Sequence, residues 1–179
     1  VAVGLEQHGL VRRRSDGRFA LGYRLLTLGQ RAAAQIPLVD VARRHVEQLR
    51  DSTGESAQLY VQDGGDRVCI LAAESNHGLR TIGSVGARLT MTQGSAGAAL
   101  HGNLSPNGFA ASVEEREPGV ASVSAPIRDP AGAIVAAVSV SGPVERTSRE
   151  PAERYGQEVV ATGAAISADL AASAPGSAQ

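Results

Sequence analysis

The feature that most constrains the fold is a stretch with helical periodicity that runs from Val39 to Thr53. Its apolar residues recur three and four positions apart, which places them on one face of a helix. Gly54 follows, and glycine commonly ends a helix because it tolerates a left-handed backbone. An amphipathic helix has to bury its apolar face against another layer of structure. The apolar positions are Leu38, Val41, Ala42, Val46 and Leu49.

After Gly54 the pattern changes from helical to strand-like, with two pairs of β-rich segments that are each joined by a glycine-containing turn. A second amphipathic helix closes the chain. This order predicts an α+β fold in which an antiparallel sheet is covered by helices on one side. The predicted strands cover residues 57–61, 68–72, 121–128 and 133–141, with turns at 63–66 and 129–132 and the last helix over about 150–170.

A basic hairpin is predicted near the start of the chain, where two short strands flank the turn Ser15-Asp16-Gly17. Residues 1–31 carry a net charge of +4 and the rest carries −5, so only the first segment is expected to meet a polyanion. Alternation along a strand puts neighbouring side chains on opposite faces. The alternative to binding a polyanion is that the hairpin's arginines are simply a solvated group of charges. The arginines are Arg12, Arg13, Arg14 and Arg18, of which Arg12 and Arg14 should share a face.

Leu21, Leu25, Leu28 and Ala32 follow at steps of four, three and four residues. Such a narrow apolar stripe is typical of a helix that packs on a partner helix. It predicts a linker helix over residues 22–36, with the three leucines at a contact between two copies of the chain.

Composition narrows the classes of function. The chain has 179 residues, enough for one well-cored domain and a small appendage, and its apolar runs are shorter than the roughly 20 residues of a membrane helix. We therefore expect no membrane partner and no signal peptide. The single cysteine, Cys69, is expected to be a buried small hydrophobe and favours a cytoplasmic location. Four scattered histidines and the lack of a nucleophile–base set favour a protein without metal, cofactor or enzymatic activity.

Two serines on a predicted strand are the most suggestive polar residues. Ser139 and Ser141 are two positions apart, so both hydroxyls should lie on one face of the sheet. Buried hydroxyls without partners cost about 1–3 kcal/mol each, and a bound carboxylate or hydroxyl compound would supply partners. The alternatives are hydrogen bonds to the neighbouring backbone or exposure on an outer face.

The segment Thr90–Leu100 is predicted to form a glycine-containing loop that leads into a helix. Helix N-termini present free N–H groups that can bind an anion. The alternative is that Gly94 and Gly97 permit close packing between helix and sheet.

Together these segments resemble the IclR family of bacterial transcriptional regulators over nearly the whole chain. The stretches that carry the resemblance are LEQHGLVRRRSDGRFALGYRLLTLG, VARRHVEQLRDSTGESAQLYV, VGARLTMTQGSAGAAL and EPGVASVSAPIRDPAGAIVAAVSVSGP, followed by the C-terminal helix. The resemblance implies that residues 1–21 end a winged helix-turn-helix domain, residues 22–36 form a linker helix, residues 37–172 form a GAF-like effector-binding domain, and residues 173–179 are a flexible tail.

The resemblance also implies partners and site residues. A homodimer or a dimer of dimers binds operator DNA through the winged helix, and a small organic molecule biases that binding. The hairpin arginines would contact the DNA backbone. The residues that match effector-contact positions are Ser139, Ser141, Ser122, Ser112, Ser95, Ala96 and Gly94, and we include Thr81 with them.

Two departures from the family pattern affect these expectations. The helices that should precede Val1 are missing, including most of the recognition helix. Between His101 and Phe109 the family usually carries a further stretch on the order of 30 residues, whereas this sequence has only a short connection, residues 102–108. The stretch is either a true deletion or is omitted from this sequence.

The sequence thus predicts a ligand-responsive DNA-binding regulator that senses an organic or aromatic acid. The competing hypothesis is a GAF-like sensor domain or an enzyme without a role on DNA.

Overall fold

The computed structural model describes residues 2–34, 36–81 and 83–173, and the predicted tail beyond Ser173 lies outside them. The chain divides into two compact units, Val1–Asp40 and Val41–Gln179. In the described residues no helix is long and apolar enough to cross a membrane.

The first unit contains the basic hairpin. Its antiparallel strands pair Val11 with Leu21 and Arg13 with Phe19. Gly22 has to be glycine, because a Cβ there would lie 1.9 Å from the carbonyl oxygen of Gly9. The elements of this unit are α1 (Ala2–Gln7), β1 (Val11–Arg13), β2 (Phe19–Leu21) and α2 (Arg24–Ala34).

The predicted linker helix is shorter than expected, since α2 begins at Arg24. Leu21 is therefore a strand residue at the end of β2 and not the first residue of the helical stripe. Leu25 and Leu28 do lie on α2, as predicted.

The second unit is an α+β domain, as predicted. Six strands form an antiparallel sheet in the order β5-β4-β3-β8-β7-β6. The elements are α3 (Pro37–Thr53, which begins in the first unit), β3 (Ser56–Asp63), β4 (Asp66–Ala73), β5 (Arg88–Thr90), α4 (Ser95–Leu100), β6 (Ala110–Val113), β7 (Val120–Arg128), β8 (Ile134–Pro143), α5 (Val144–Thr147) and α6 (Pro151–Ser173).

The two faces of the sheet differ in polarity and in what covers them. One face is apolar and packs against α6. There a Cβ on Gly163 would lie 2.8 Å from the carbonyl oxygen of Pro126, so the absence of a side chain permits the close approach. Helix α3 lies beside α6, with Ser52 donating to Glu158 at 3.1 Å. The central strands supply buried apolar residues on this face, including Leu59, Val123, Ile127, Val138 and Val140.

The short helix α4 covers the opposite face, against β6, β7 and β8. Tyr60, Cys69, Met91 and Ala99 form a compact apolar cluster there. Cys69 is 1 % exposed, in agreement with the prediction of a buried small hydrophobe.

Candidate functional site

The face under α4 carries a band of hydroxyl side chains that crosses four strands. Ser112, Ser122, Ser141 and Ser56 lie directly opposite one another on β6, β7, β8 and β3. A second row beside it is formed by Ser124, Ser139 and Gln58. Side chains opposite each other in an antiparallel sheet share a face. Ser139 and Ser141 therefore lie on one face, as their spacing predicts.

Apart from Ser122, which is half-buried, these side chains are buried, and several are bonded to each other. Ser95 Oγ, from α4, lies 2.7 Å from both Ser122 Oγ and Ser124 Oγ. Ser124 donates to Ser139 Oγ at 2.9 Å, and Ser141 donates to Gln58 Oε1 at 3.1 Å. A hydroxyl both donates and accepts, so Ser139, which accepts from Ser124, still has a proton to donate.

A buried arginine accompanies this network. Arg67 on β4 is 3 % exposed and donates through Nη1 to the carbonyl oxygens of Thr90 and Gln93, the latter at 2.8 Å. Its Nε is buried without a hydrogen-bond partner in the described part of the chain. The guanidinium carbon lies 5.6 Å from the centre of the Tyr60 ring, a cation–π distance. Burial lowers the pKa of Arg67 from its usual high value, and nearby Arg116 lowers it as well.

A β-bulge brings Arg67 to the hydroxyl-bearing face. The register between β3 and β4 shifts between Leu59 and Tyr60, so that Tyr60 pairs with Cys69. Beyond the shift Gln62 pairs with Arg67. Tyr60 and Gln62 lie on the same face of the sheet as Gln58. Their partners on β4, Cys69 and Arg67, therefore lie on that face as well.

The glycines of the turn before α4 make room for this guanidinium. A Cβ on Gly97 would lie 3.0 Å from Arg67 Nη1 and 2.3 Å from the carbonyl oxygen of Met91. A Cβ on Gly94 would lie 3.2 Å from Arg67 Nη2. The close-packing alternative for these glycines is therefore the one the structure supports.

The expected anion site at the start of α4 is already used within the chain. The Gly94 N–H donates to Glu115 Oε2 at 2.8 Å. The helix is also only six residues long, too short to carry much of a dipole. A ligand would have to displace Glu115 to reach this N–H.

A small cavity of about 30 Å³ lies where these groups meet. Seven of the eight predicted effector residues line it: Ser139, Ser141, Ser122, Ser112, Ser95, Ala96 and Gly94. Thr81 does not line this cavity; it lines a neighbouring pocket of about 480 Å³. Both pockets are also lined by three residues from the loop between β6 and β7 and the start of β7, namely Arg116, Glu117 and Val120.

Five residues that line the cavity were not predicted as site residues: Tyr60, Arg67, Arg116, Glu117 and Val120. Ser124, a member of the hydroxyl network, was not predicted either. Burial raises the pKa of the Tyr60 hydroxyl to about 12, so it stays protonated at neutral pH and can act as a donor. Burial likewise raises the pKa of Cys69 to about 11, which keeps it a thiol and a poor nucleophile. Among the described residues no group of three His, Cys, Asp or Glu side chains could hold a metal ion.

The arginines of the hairpin make different contacts. Arg12 lies over the Tyr23 ring at 5.1 Å, and Arg13 lies over the Phe19 ring at 4.9 Å. Arg14 is 3.8 Å from Asp16, an exposed pair that contributes little to stability. Arg18 follows Gly17, whose positive φ of 80° forms the turn. All four arginines are exposed.

The predicted linker surface is exposed on the single chain. Leu25 and Leu28 are 36 % and 46 % exposed, and Leu26 between them is 65 % exposed. Leu21 on β2 is 75 % exposed. Several large apolar residues left open on one short segment are a feature of surfaces that bind a partner.

Comparisons with known proteins agree with this architecture. Residues 102–168 match the family model described as the C-terminal domain of the bacterial transcriptional regulator IclR. The regulator BhcR of Paracoccus denitrificans is 28% identical over 146 residues, covering 62% of this chain and 52% of that protein. KipR of Bacillus subtilis is 27% identical over 90 residues, covering 50% of this chain and 36% of that protein. The chain thus spans about half or less of these curated relatives.

Solved structures extend the similarity to nearly the whole chain. The IclR protein of Thermotoga maritima superimposes with a TM-score of 0.79 at 25% identity, covering 95% of this chain and 83% of that one. A transcriptional regulator from Rhodococcus sp. RHA1 superimposes with a TM-score of 0.82 at 25% identity, covering 96% and 82%. Residues 102–168 thus match the C-terminal domain of IclR, and the chain is similar in sequence and in fold to transcriptional regulators of the IclR family.

Proposed function

We propose that this protein regulates transcription by binding operator DNA with an affinity set by a small organic molecule in the serine-lined cavity. The observation that carries the proposal is the cavity itself, in which buried and half-buried hydroxyls from β6, β7, β8 and α4 converge. Polar groups that converge on a concavity are what a small-molecule site requires. A regulator of this kind acts in the cytoplasm and needs neither cofactor nor catalytic residues.

The basic hairpin is the DNA-contacting part in this proposal. Residues 1–21 end a winged helix-turn-helix domain, and the exposed arginines contact phosphates without reading the sequence. Residues 22–36 link it to the effector domain, residues 37–172, and pair with a second copy through Leu25 and Leu28. The exposure of those leucines supports a dimer, or a dimer of dimers.

The DNA-binding part of the proposal is tested with the full-length protein on its own upstream DNA, by fluorescence anisotropy at several salt concentrations. We expect the logarithm of the affinity to fall linearly with the logarithm of the salt concentration, because phosphate contacts release counterions. The variant Arg12→Gln/Arg18→Gln should bind more weakly and show a shallower slope. Arg88→Gln, on β5, is the matched control. Binding that does not depend on salt would contradict the role given to the hairpin.

A further inference from the structure

We propose that the connection between β6 and β7 is a strained lid that closes the serine-lined cavity and has to open before an effector can enter. The lid comprises residues 114–119, between the end of β6 and the start of β7. This inference rests on the proposed function, in that the cavity is the effector site, and it adds a device that controls access to that site.

The closed cavity is too small for an organic molecule of more than a few atoms. Its volume of about 30 Å³ holds about two or three water molecules, whereas a cavity that binds benzene measures about 150 Å³. The pocket of about 480 Å³ lies next to it, and Arg116 and Glu117 of the lid line both spaces. Movement of the lid would therefore join the two spaces into one of the size that small-molecule sites have.

Backbone strain marks the place where the lid begins. Within residues 2–34, 36–81 and 83–173, two residues other than glycine have a positive φ, namely Glu114 at 56° and Ser148 at 65°. Ser148 also has a ψ of 171°, a combination that is otherwise nearly confined to glycine. Such conformations cost free energy, persist only where the surrounding contacts hold them, and cluster at switch regions. Glu114 is the first residue of the lid, which makes it the candidate hinge.

One ion pair joins the two strained segments. Arg149, which directly follows Ser148, places Nη2 at 2.9 Å from Glu114 Oε2. The other carboxylate oxygen of Glu114 accepts a hydrogen bond from the Gly119 N–H at 3.0 Å, so the first residue of the lid is tied to the last. The Gly119 N–H and Arg149 lower the pKa of Glu114, which keeps the carboxylate charged at neutral pH. Because Arg149 is exposed, water competes with this pair, and the hinge is held without being locked.

The side chain of Glu115 attaches the lid to the opposite rim of the cavity. Its Oε2 accepts the Gly94 N–H at 2.8 Å, in the turn that precedes α4. Gly94 lines the cavity and Glu115 is exposed, so this latch lies at the rim, where water can replace it. A molecule that binds only the open form has its apparent affinity reduced by the open fraction. The latch therefore contributes to how tightly an effector binds.

The test measures how fast a thiol inside the cavity reacts with iodoacetamide, followed by mass spectrometry, in a Cys69→Ala background that removes the native thiol. Ser112→Cys places the thiol in the wall of the cavity, and Ser84→Cys places it on an exposed loop as a reference. We expect position 112 to react at least about tenfold more slowly than position 84, because the lid is closed most of the time. Adding Glu115→Ala should raise the rate at position 112 at least about fivefold, because a charge-assisted hydrogen bond is lost, and should leave the rate at position 84 unchanged.

Two further variants and a second measurement complete the test. Arg149→Gln should also raise the rate at position 112, by a smaller factor, because an exposed ion pair contributes less. Glu47→Ala, which removes an exposed carboxylate from α3, is the matched control and should leave the rate unchanged. In the chain without introduced cysteines, hydrogen–deuterium exchange of residues 114–119 should be faster in Glu115→Ala than in the wild type or Glu47→Ala.

Two kinds of result would overturn the inference. Equal reaction rates at positions 112 and 84 would show that the cavity is already open. An unchanged rate at position 112 in a folded Glu115→Ala variant, or exchange of the lid at the wild-type rate, would show that Glu115 does not hold it closed. The exchange measurement decides the matter even if Ser112→Cys fails to fold. None of these experiments uses an effector or DNA, so their outcome is separate from that of the DNA-binding test of the proposed function.

Discussion

Ser124 is the side chain on which the hydroxyl network depends most. It is fully buried, and its Oγ contacts Ser95 Oγ at 2.7 Å and Ser139 Oγ at 2.9 Å. The substitution Ser124→Ala removes both hydrogen bonds. Ser95 keeps its contact with Ser122, but Ser139 loses the hydrogen bond it receives. Leaving a buried polar group unsatisfied costs about 1–3 kcal/mol, so we expect the free energy of unfolding to fall by that amount.

The assay is urea and thermal unfolding of the wild type and Ser124→Ala, followed by circular dichroism. For a protein of this size each kcal/mol shifts Tm by about 2–4 °C, so Tm should fall by roughly 2–12 °C with an unchanged urea m-value. Ser84→Ala, on an exposed loop, is the matched control and should stay within about 0.5 kcal/mol of the wild type. If Ser124→Ala unfolds at the same urea concentration as the wild type, the network does not stabilise the domain and the reasoning fails.

Two further changes test other parts of the structure. Gly97→Ala should cost about 1–3 kcal/mol in urea unfolding, because its Cβ would lie 2.3 Å from the carbonyl oxygen of Met91; unchanged stability would show that α4 is not held so closely. Hydrogen bonds from His45 and Arg44 lower the pKa of Asp169. Its contribution to stability is therefore present above the ordinary carboxyl pKa and lost as pH falls through the lowered pKa. Asp169→Asn should be less stable than the wild type at neutral pH and approach it in acid, as urea unfolding over a pH series would show; an equal difference at every pH would contradict this.

The sequence predicted the parts of the fold that depend on local pattern. Periodicity identified α3, α6 and the long strands, and glycine-containing turns identified both hairpins of the sheet. The sequence did not predict the short strands β5 and β6 or the helix α5, because segments of three or four residues show too little periodicity to be identified.

The site was predicted less completely because its chemistry depends on register. Period two was sufficient to place Ser139 and Ser141 on one face. Arg67 adjoins the predicted turn 63–66, where a charged residue usually faces water, and only the bulge near Tyr60 turns it inward. Ser124 is two residues beyond Ser122, so the same spacing argument could have found it.

The most direct test of the proposed function measures the affinity of the full-length protein for its own upstream DNA, by fluorescence anisotropy at fixed salt, with and without the organic acid that raises the Tm of the protein most in a thermal-shift screen. A coupling of about 1–3 kcal/mol predicts a 5–150-fold change in affinity. The variant Ser139→Ala/Ser141→Ala should bind DNA as the wild type does and lose that change. An equal response to that acid in the wild type and the double variant would contradict the claim that the serine-lined cavity sets the affinity for DNA.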